Sequence, residues 1–225
     1  LIKSITIYML EIIFPQIHKE GKKILTITLV INFLLFFLSN TVGLIGIILN
    51  VWVYYFFRDP ERVSINDNNY LVSPADGKIS MITECKGPKE VGLDAKDFLR
   101  VSVFMNVFNC HVNRVPLECS IEEIFYKPGK FINASLDKAS EHNERNILKV
   151  KALNGDEFGI VQIAGLVARR IVCETDPGNQ LIQGARFGII RFGSRVDLYF
   201  DKSYELLAKT GQTVVAGESL LAKKK

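Results

Sequence analysis

Three short stretches of this chain carry residue types that can do chemistry together. Residues 189–200 read IIRFGSRVDLYF, with Ser194 directly behind Gly193 between two strand-like runs. FNCHVNRVP sets His111 in an apolar, strand-like segment, and SPADGKI places Asp76 in a turn. Taken singly, each has a plain explanation. A Gly-Ser pair arises by chance in a chain of this size, a histidine in an apolar strand is commonly a satisfied core residue, and Asp-Gly is a favoured turn pair. Taken together, in the order Asp76, His111, Ser194, they supply a nucleophile, a base and an orienting acid, and such sets are defined by geometry rather than chain order. The surroundings of Ser194 say what it would attack. There is no G-x-S-x-G elbow and the context is β-rich, which argues against an α/β-hydrolase. A serine between strands, with Gly193 leaving its carbonyl open to approach, can attack its own preceding peptide bond. Such a site needs local strain, a base and donors for the oxyanion.

The elements that must position these residues are mostly strands. The runs 99–105, 120–126, 147–153, 157–164, 169–175, 187–192 and 195–200 are rich in β-branched and aromatic residues, with turn signals at 127–129, 154–156 and 176–179. That cadence predicts a mainly β barrel or sandwich. The segment 133–146 breaks it and reads as a helical turn or a long polar loop, a kind of loop that often carries function. SPADGKI and the glycine-paired LLAKTGQTVVAGESLLA (206–222) resemble the hammerhead of biotinyl and lipoyl carrier domains. No acceptor-lysine turn accompanies them, so the likeness speaks for fold alone.

The other end of the chain is apolar. From Ile24 to Phe57 no residue is charged. One straight helix over this stretch would run about 51 Å, far beyond a bilayer core of about 30 Å. The LSNTVG interruption at 38–43 suggests a helical hairpin instead. A hairpin leaves Lys22, Lys23, Arg58 and Arg62 on one side, which is cytoplasmic by the positive-inside rule. A secretory signal is disfavoured because the run starts late, is long and lacks a small-residue cleavage site. Residues 1–14 form a short interfacial helix with Ile2, Ile5, Met9 and Ile12 on one face, or an apolar leader packed on the hairpin. The expected organisation is a membrane-anchoring hairpin over 1–57 and a β-rich catalytic domain over 58–225. A net charge of +4 without a long basic run gives no sign of nucleic-acid binding. Cys85, Cys110, Cys119 and Cys173, with three histidines, show no zinc-type spacing, so reduced thiols and no metal are expected.

SPADGKI, FMNVFNCHVNRVP, YKPGKF and RFGSRVDLYF together resemble the phosphatidylserine decarboxylase family in its short bacterial and archaeal form, and the N-terminal hairpin fits it too. The resemblance implies that Ser194, assisted by His111 and Asp76, attacks the Gly193 carbonyl. The resulting ester eliminates to give a β chain (1–193) and an α chain (194–225). Ser194 becomes a covalent pyruvoyl group, the cofactor in place of pyridoxal phosphate, which binds the substrate amine as a Schiff base. Phosphatidylserine would be decarboxylated to phosphatidylethanolamine, with His111 as a proton donor. The implied partners are membrane lipid and the two chains of one protein, with a higher homo-oligomer left open. The implied location is the cytoplasmic face of the cell membrane. Arg114, Arg186, Arg191 and Arg195 are candidate headgroup contacts.

Two departures stand out. Longer members carry Leu-Gly-Ser-Thr where this chain has FGSR, and a second histidine where this chain has Arg114; His142 is a candidate helper. Three alternatives stay open at this point: action on archaetidylserine, whose headgroup is the same; a membrane-tethered lipoyl-like carrier or binding module without catalysis; and a soluble pyruvoyl decarboxylase of an amino acid, which the hairpin disfavours.

Overall fold

Charge stops at Lys23 and resumes at Arg58, and between them the chain folds back on itself as two helices, α1 (Lys19–Phe36) and α2 (Asn40–Phe56). The computed structural model describes residues 14–134, 142–166 and 170–225, and the chain divides into two compact units, Leu1–Glu61 and Arg62–Lys225. The foreseen interfacial helix, with Ile2, Ile5, Met9 and Ile12, falls outside the described residues, as does the middle of the 133–146 segment. His18 caps α1, its Nδ1 accepting the Glu20 N–H at 3.3 Å. The open end of the hairpin is closed by the His18 N–H to the Phe57 carbonyl (2.9 Å) and the Asp59 N–H to the Gln16 carbonyl (2.7 Å). Small residues let the helices approach: a side chain at Gly46 would collide with Asn32. Outward-facing Phe33, Phe37, Leu38, Leu44, Ile45 and Ile48 are exposed. At 18 and 17 residues the helices are about 27 and 26 Å long. Among the described residues no helix is long and apolar enough to cross a membrane. The hairpin is therefore present as helices, while the span expected of it is not established.

The second unit is mainly β. One sheet has eight strands in the order β13 (Thr213–Val214), β2 (Gly77–Lys86), β3 (Asp97–Met105), β11 (Ser194–Phe200), β7 (Glu157–Ala164), β6 (Arg145–Ala152), β5 (Cys119–Lys127) and β9 (Gln180–Leu181). It curls into a half-barrel, helped by register shifts at Ile79/Met81 and Ile121/Glu123, since bulges increase local twist. Two three-stranded sheets complete the unit: β1 (Tyr70–Val72), β14 (Leu220–Lys224) and β12 (Tyr204–Leu206); and β4 (Val112–Arg114), β10 (Arg186–Arg191) and β8 (Arg170–Cys173). Each strand-like run read from the sequence coincides with one of these strands to within a few residues. The 154–156 signal is a real turn, with Asn154 Oδ1 accepting the Asp156 N–H at 3.0 Å. All four cysteines are free, and burial pushes the Cys119 thiol up to about 12.

β11 lies between β3 and β7, antiparallel to both, and every one of its residues is buried. Alternate residues face opposite ways. Val196, Leu198 and Phe200 enter the main core with Ile79, Val103 and Ile160, while Tyr199 packs on the other face with Phe98, Val161 and Ile163. Arg195 and Asp197 share that second face. Arg195 Nε lies 2.8 Å from Asp197 Oδ1, Nη2 donates to Oδ2 at 3.0 Å, and Nη1 donates to the Ala134 carbonyl at 3.1 Å. Both side chains are fully buried, where a fork-to-carboxylate pair is strong in geometry but costly to break. Arg195→Met should therefore destabilise the fold by about 3–5 kcal/mol by stranding a buried carboxylate. Arg195→Met/Asp197→Leu should recover most of that loss, and urea unfolding of the two variants reads the difference.

Candidate active site

The chain reaches Ser194 from β10, a strand of a different sheet, through a link of two residues. Phe192 and Gly193 both have positive φ, 64° and 48°. Glycine adopts such a backbone freely, whereas for phenylalanine it costs about 1–2 kcal/mol. Strain is thus lodged immediately before the Gly193–Ser194 peptide bond. Ser194 opens β11, opposite Met105 of β3 and Ala164 of β7. It is fully buried on the face of Val196 and Leu198, and its Oγ finds no hydrogen-bond partner among the described residues. Leaving a buried hydroxyl unpaired costs about 1–3 kcal/mol, and an exception of this kind in a native fold asks for a functional reason.

His111 is fully buried, one residue before β4. Its Nδ1 lies 3.0 Å from the Asn109 carbonyl. A carbonyl oxygen can only accept, so Nδ1 carries the proton and the Nε2 lone pair is left as the base. The His111 carbonyl accepts the Ile190 N–H at 3.3 Å, which sets this residue beside β10 as that strand runs toward Ser194. Two residues on, Asn113 Nδ2 reaches the sulfur of Met105 at 3.7 Å, and Met105 is the cross-strand neighbour of Ser194. Residues two apart in an extended chain share a face, so His111 and Asn113 are directed to the same side.

Asp76 is held at both oxygens. Arg62 donates to Oδ2 at 2.9 Å and the Ala216 N–H donates to Oδ1 at 2.8 Å. Its turn runs beside the histidine segment, because the Pro74 carbonyl accepts the Arg114 N–H at 2.9 Å. The following Gly77 lies so close to β3 that a Cβ there would sit 2.1 Å from the Phe104 oxygen. The segments carrying Asp76, His111 and Ser194 thus meet at one end of the eight-stranded sheet. Beneath them runs a buried amide chain, Asn146 Nδ2 to Gln162 Oε1 (3.0 Å) and Gln162 Nε2 to Asn113 Oδ1 (2.8 Å). Each amide fixes the orientation of the next.

The cations foreseen for a headgroup divide into two kinds. Arg195 is inside the protein on its ion pair with Asp197, on the opposite face of β11 from the Ser194 side chain. Arg114 is also buried, donating to the Gly184 carbonyl at 2.8 Å. Arg186 and Arg191 are half-buried on β10, opposite Arg114 and Arg170 respectively. His142 is exposed, its carbonyl accepting the Lys130 N–H at 2.7 Å. Among the described residues no group of histidine, cysteine or carboxylate side chains is arranged to hold a metal ion. Arg62 was read from the sequence only as a cation flanking the hairpin, and Asn113, Asn146 and Gln162 were not singled out. Gln162, a polar residue inside the apolar run GIVQIA of β7, was the available signal.

Known proteins resemble this chain over nearly its whole length. A phosphatidylserine decarboxylase family model matches residues 49–222. A phosphatidylserine decarboxylase proenzyme of Pelagibacter ubique is 62% identical over 216 residues, 96% of this chain and 100% of that protein. Proenzymes of the same description from Ruegeria pomeroyi and Cereibacter sphaeroides are 50% and 48% identical over 214 residues, each covering 95% of this chain and 98% and 92% of the relative. A match of this extent, over the β-rich unit and into α2, leaves the carrier-module alternative without support, and the chain belongs to the phosphatidylserine decarboxylase family.

Proposed function

We propose that this protein is a self-processing, pyruvoyl-dependent decarboxylase that converts phosphatidylserine to phosphatidylethanolamine and carbon dioxide in phospholipid biosynthesis. The observation that carries the reading is Ser194, a buried serine with an unpaired hydroxyl placed directly after a strained link. Those are the features a serine needs if it is to attack its own peptide bond and be converted into the prosthetic group. His111 Nε2 takes the hydroxyl proton as Oγ adds to the Gly193 carbonyl carbon. The C–N bond then breaks, the nitrogen takes the proton, and the peptide becomes an ester. Removal of the Ser194 α-proton breaks the Cβ–O bond and frees residues 1–193 with a terminal carboxylate. Water replaces the nitrogen of the remaining dehydroalanine, releasing ammonia. Asp76, fixed by Arg62 and the Ala216 amide, supplies the negative charge that steadies the imidazolium formed at His111. A pyruvoyl group at position 194 supplies the electron sink for loss of carbon dioxide from an amino-acid headgroup. Arg170 and Arg191, opposed across β8 and β10, offer positive charge to the headgroup phosphate, and His111 returns a proton to the α-carbon.

The fold supports a two-chain product. Residues 194–225 contain β11 and β13 of the large sheet and β12 and β14 of a smaller one, so a cut before Ser194 leaves the small chain threaded through both. Lys224 (2.7 Å) and the Tyr204 hydroxyl (3.0 Å) both bind Asp156 of the large chain. Burial alone would raise the Asp156 carboxyl, but Lys224 and Tyr204 outweigh it and hold the group below the usual range. The pairing of 70–79 with 211–223, through β1–β14, β2–β13 and the glycine turns at Gly211 and Gly217, supports a lipoyl-like arrangement of this part. The exposed apolar residues of the hairpin support its embedding in a membrane on the cytoplasmic side, without a crossing by either helix.

Purified wild-type protein should resolve by intact mass into two chains, the smaller of roughly 3.5 kDa and lighter than the seryl peptide by about 17 Da, one ammonia. Ser194→Ala should stay one chain and release no carbon dioxide from phosphatidylserine in detergent micelles; a wild-type chain that remains whole would sink the proposal. Because a depressed carboxyl stabilises the fold only above its unfolded value, near 3.9, the Asp156 contribution is present at neutral pH and fades as pH falls below about 4. Asp156→Asn should therefore weaken chain association by about 0.5–1 kcal/mol at neutral pH and by less at acid pH, read by denaturant titration of the processed protein at several pH values. Replacing Phe33, Phe37 and Leu38 by serine should move the protein from the floating to the soluble fraction in a liposome flotation assay, with cleavage unchanged.

A further inference from the structure

Gly165 is the first residue beyond β7, and Gly193 the last before β11. Since Ala164 faces Ser194 in the antiparallel register, Gly165 and Gly193 are the next cross-strand neighbours. A Cβ built on Gly165 would lie 2.0 Å from the Gly193 oxygen and 3.0 Å from the Gly193 carbonyl carbon, with the Ala134 Cβ next at 3.2 Å. The first two atoms are backbone and cannot swing away. The oxygen of the bond to be broken therefore rests over the α-carbon of Gly165, in space that any side chain would fill.

We infer that Gly165 is a positioning residue for self-cleavage, a side-chain-free seat that fixes the direction of the Gly193 carbonyl; the inference rests on the self-processing reading above. Attack by Oγ requires the carbonyl carbon to present one face to Ser194, and a carbonyl is presented only when its oxygen is held. β11 holds Ser194 by its ladder with β3 and β7. The Phe192–Gly193 link holds the other side of the bond only through a strained turn. Gly165 closes this gap by admitting the oxygen against the end of β7, with Ala134 beside the seat. The charge that develops on this oxygen as the carbon becomes tetrahedral is directed to the same place. A methyl group at 165 pushes the carbonyl off by more than an ångström, and misplacement on that scale costs on the order of 100-fold in rate.

The test measures the fraction of two-chain product against time, by intact mass, for wild type, Gly165→Ala, Ala134→Val and the same-strand control Gly159→Ala. A Cβ at Gly159 would meet side chains at 3.3 Å and no part of the cleavage site. Thermal unfolding checks that each is folded. Gly165→Ala should cleave at least tenfold more slowly than wild type, and hydroxylamine, which cuts an ester at neutral pH without the alkaline treatment that cuts Asn154–Gly155, should release no 194–225 fragment from it. That result places the block before ester formation, which a general loss of stability would not do. Gly159→Ala should cleave at the wild-type rate. Wild-type-like cleavage by folded Gly165→Ala overturns the inference alone, as does rapid hydroxylamine release of the 194–225 fragment from that variant. A wild-type protein that stays whole overturns the self-processing reading and this inference with it. If Gly165→Ala fails to fold, Ala134→Val decides: slowed cleavage in a folded protein supports the seat, and an unchanged rate overturns it.

Discussion

The Gly193–Ser194 bond, which the proposed self-processing would break, joins a strand buried along its whole length to a link in left-handed backbone. On one side stands β11, buried along its whole length and paired with both β3 and β7. On the other stand Phe192 and Gly193, both in left-handed backbone. Ser194 cannot drift, because moving it would unpair two ladders, and relaxation on cleavage is confined to the link. Strain of about 1–2 kcal/mol is small against a peptide-bond barrier. Placed beside a fixed nucleophile it still favours the reacting geometry, and its release does not loosen the sheet.

The two faces of β11 solve different problems with polar groups. Toward Ser194 the amides of Asn146, Gln162 and Asn113 form a neutral, oriented chain that reaches the neighbour of the nucleophile without placing a formal charge there. On the reverse face Arg195 and Asp197 carry full charges but cancel each other. A buried charge without a partner would disturb the proton balance around His111, so confining the ion pair to the far side keeps the site's electrostatics in the hands of His111, Asp76 and Arg62.

The strands were readable because their β-branched and aromatic runs are interrupted by glycine, proline and asparagine at the right intervals. The Ser194, His111 and Asp76 segments stood out from the sequence only as a set, through the motifs around them, because each residue alone has a plain explanation. What escaped was pairing. Arg195 read as a candidate headgroup contact because arginine is seldom buried, yet Asp197 two residues on lies on the same face of a strand, and that period-two match was the sign of an internal pair. The hold on Asp76 by the Ala216 amide has no signature at all, since a backbone N–H is the same at every residue. Gly165 carries no mark in the sequence, because its neighbour across the sheet is fixed by the register of β7 with β11 and not by local sequence. The helical hairpin was plain from the loss of charge and the polar interruption, and the break at Phe37–Ser39 limits its helices to 18 and 17 residues.

That the site is assembled from distant segments also explains why the chain is made whole. Residues 76, 111 and 194 come together only when β2, β4 and β11 have found their places, and β11 finds its place between strands that precede it by long intervals of chain. Before folding, Ser194 is an ordinary serine in a flexible peptide with no base in reach. Loop closure over such separations is slow, so uncut chain is what the folding reaction works on. After folding, the small chain contributes a central strand and strands to a second sheet, so the connecting bond is no longer needed to keep it in place. Under the proposed self-processing, topology would order cleavage in time: the site exists only once the sheet has formed, and the sheet then holds residues 194–225 without the connecting bond.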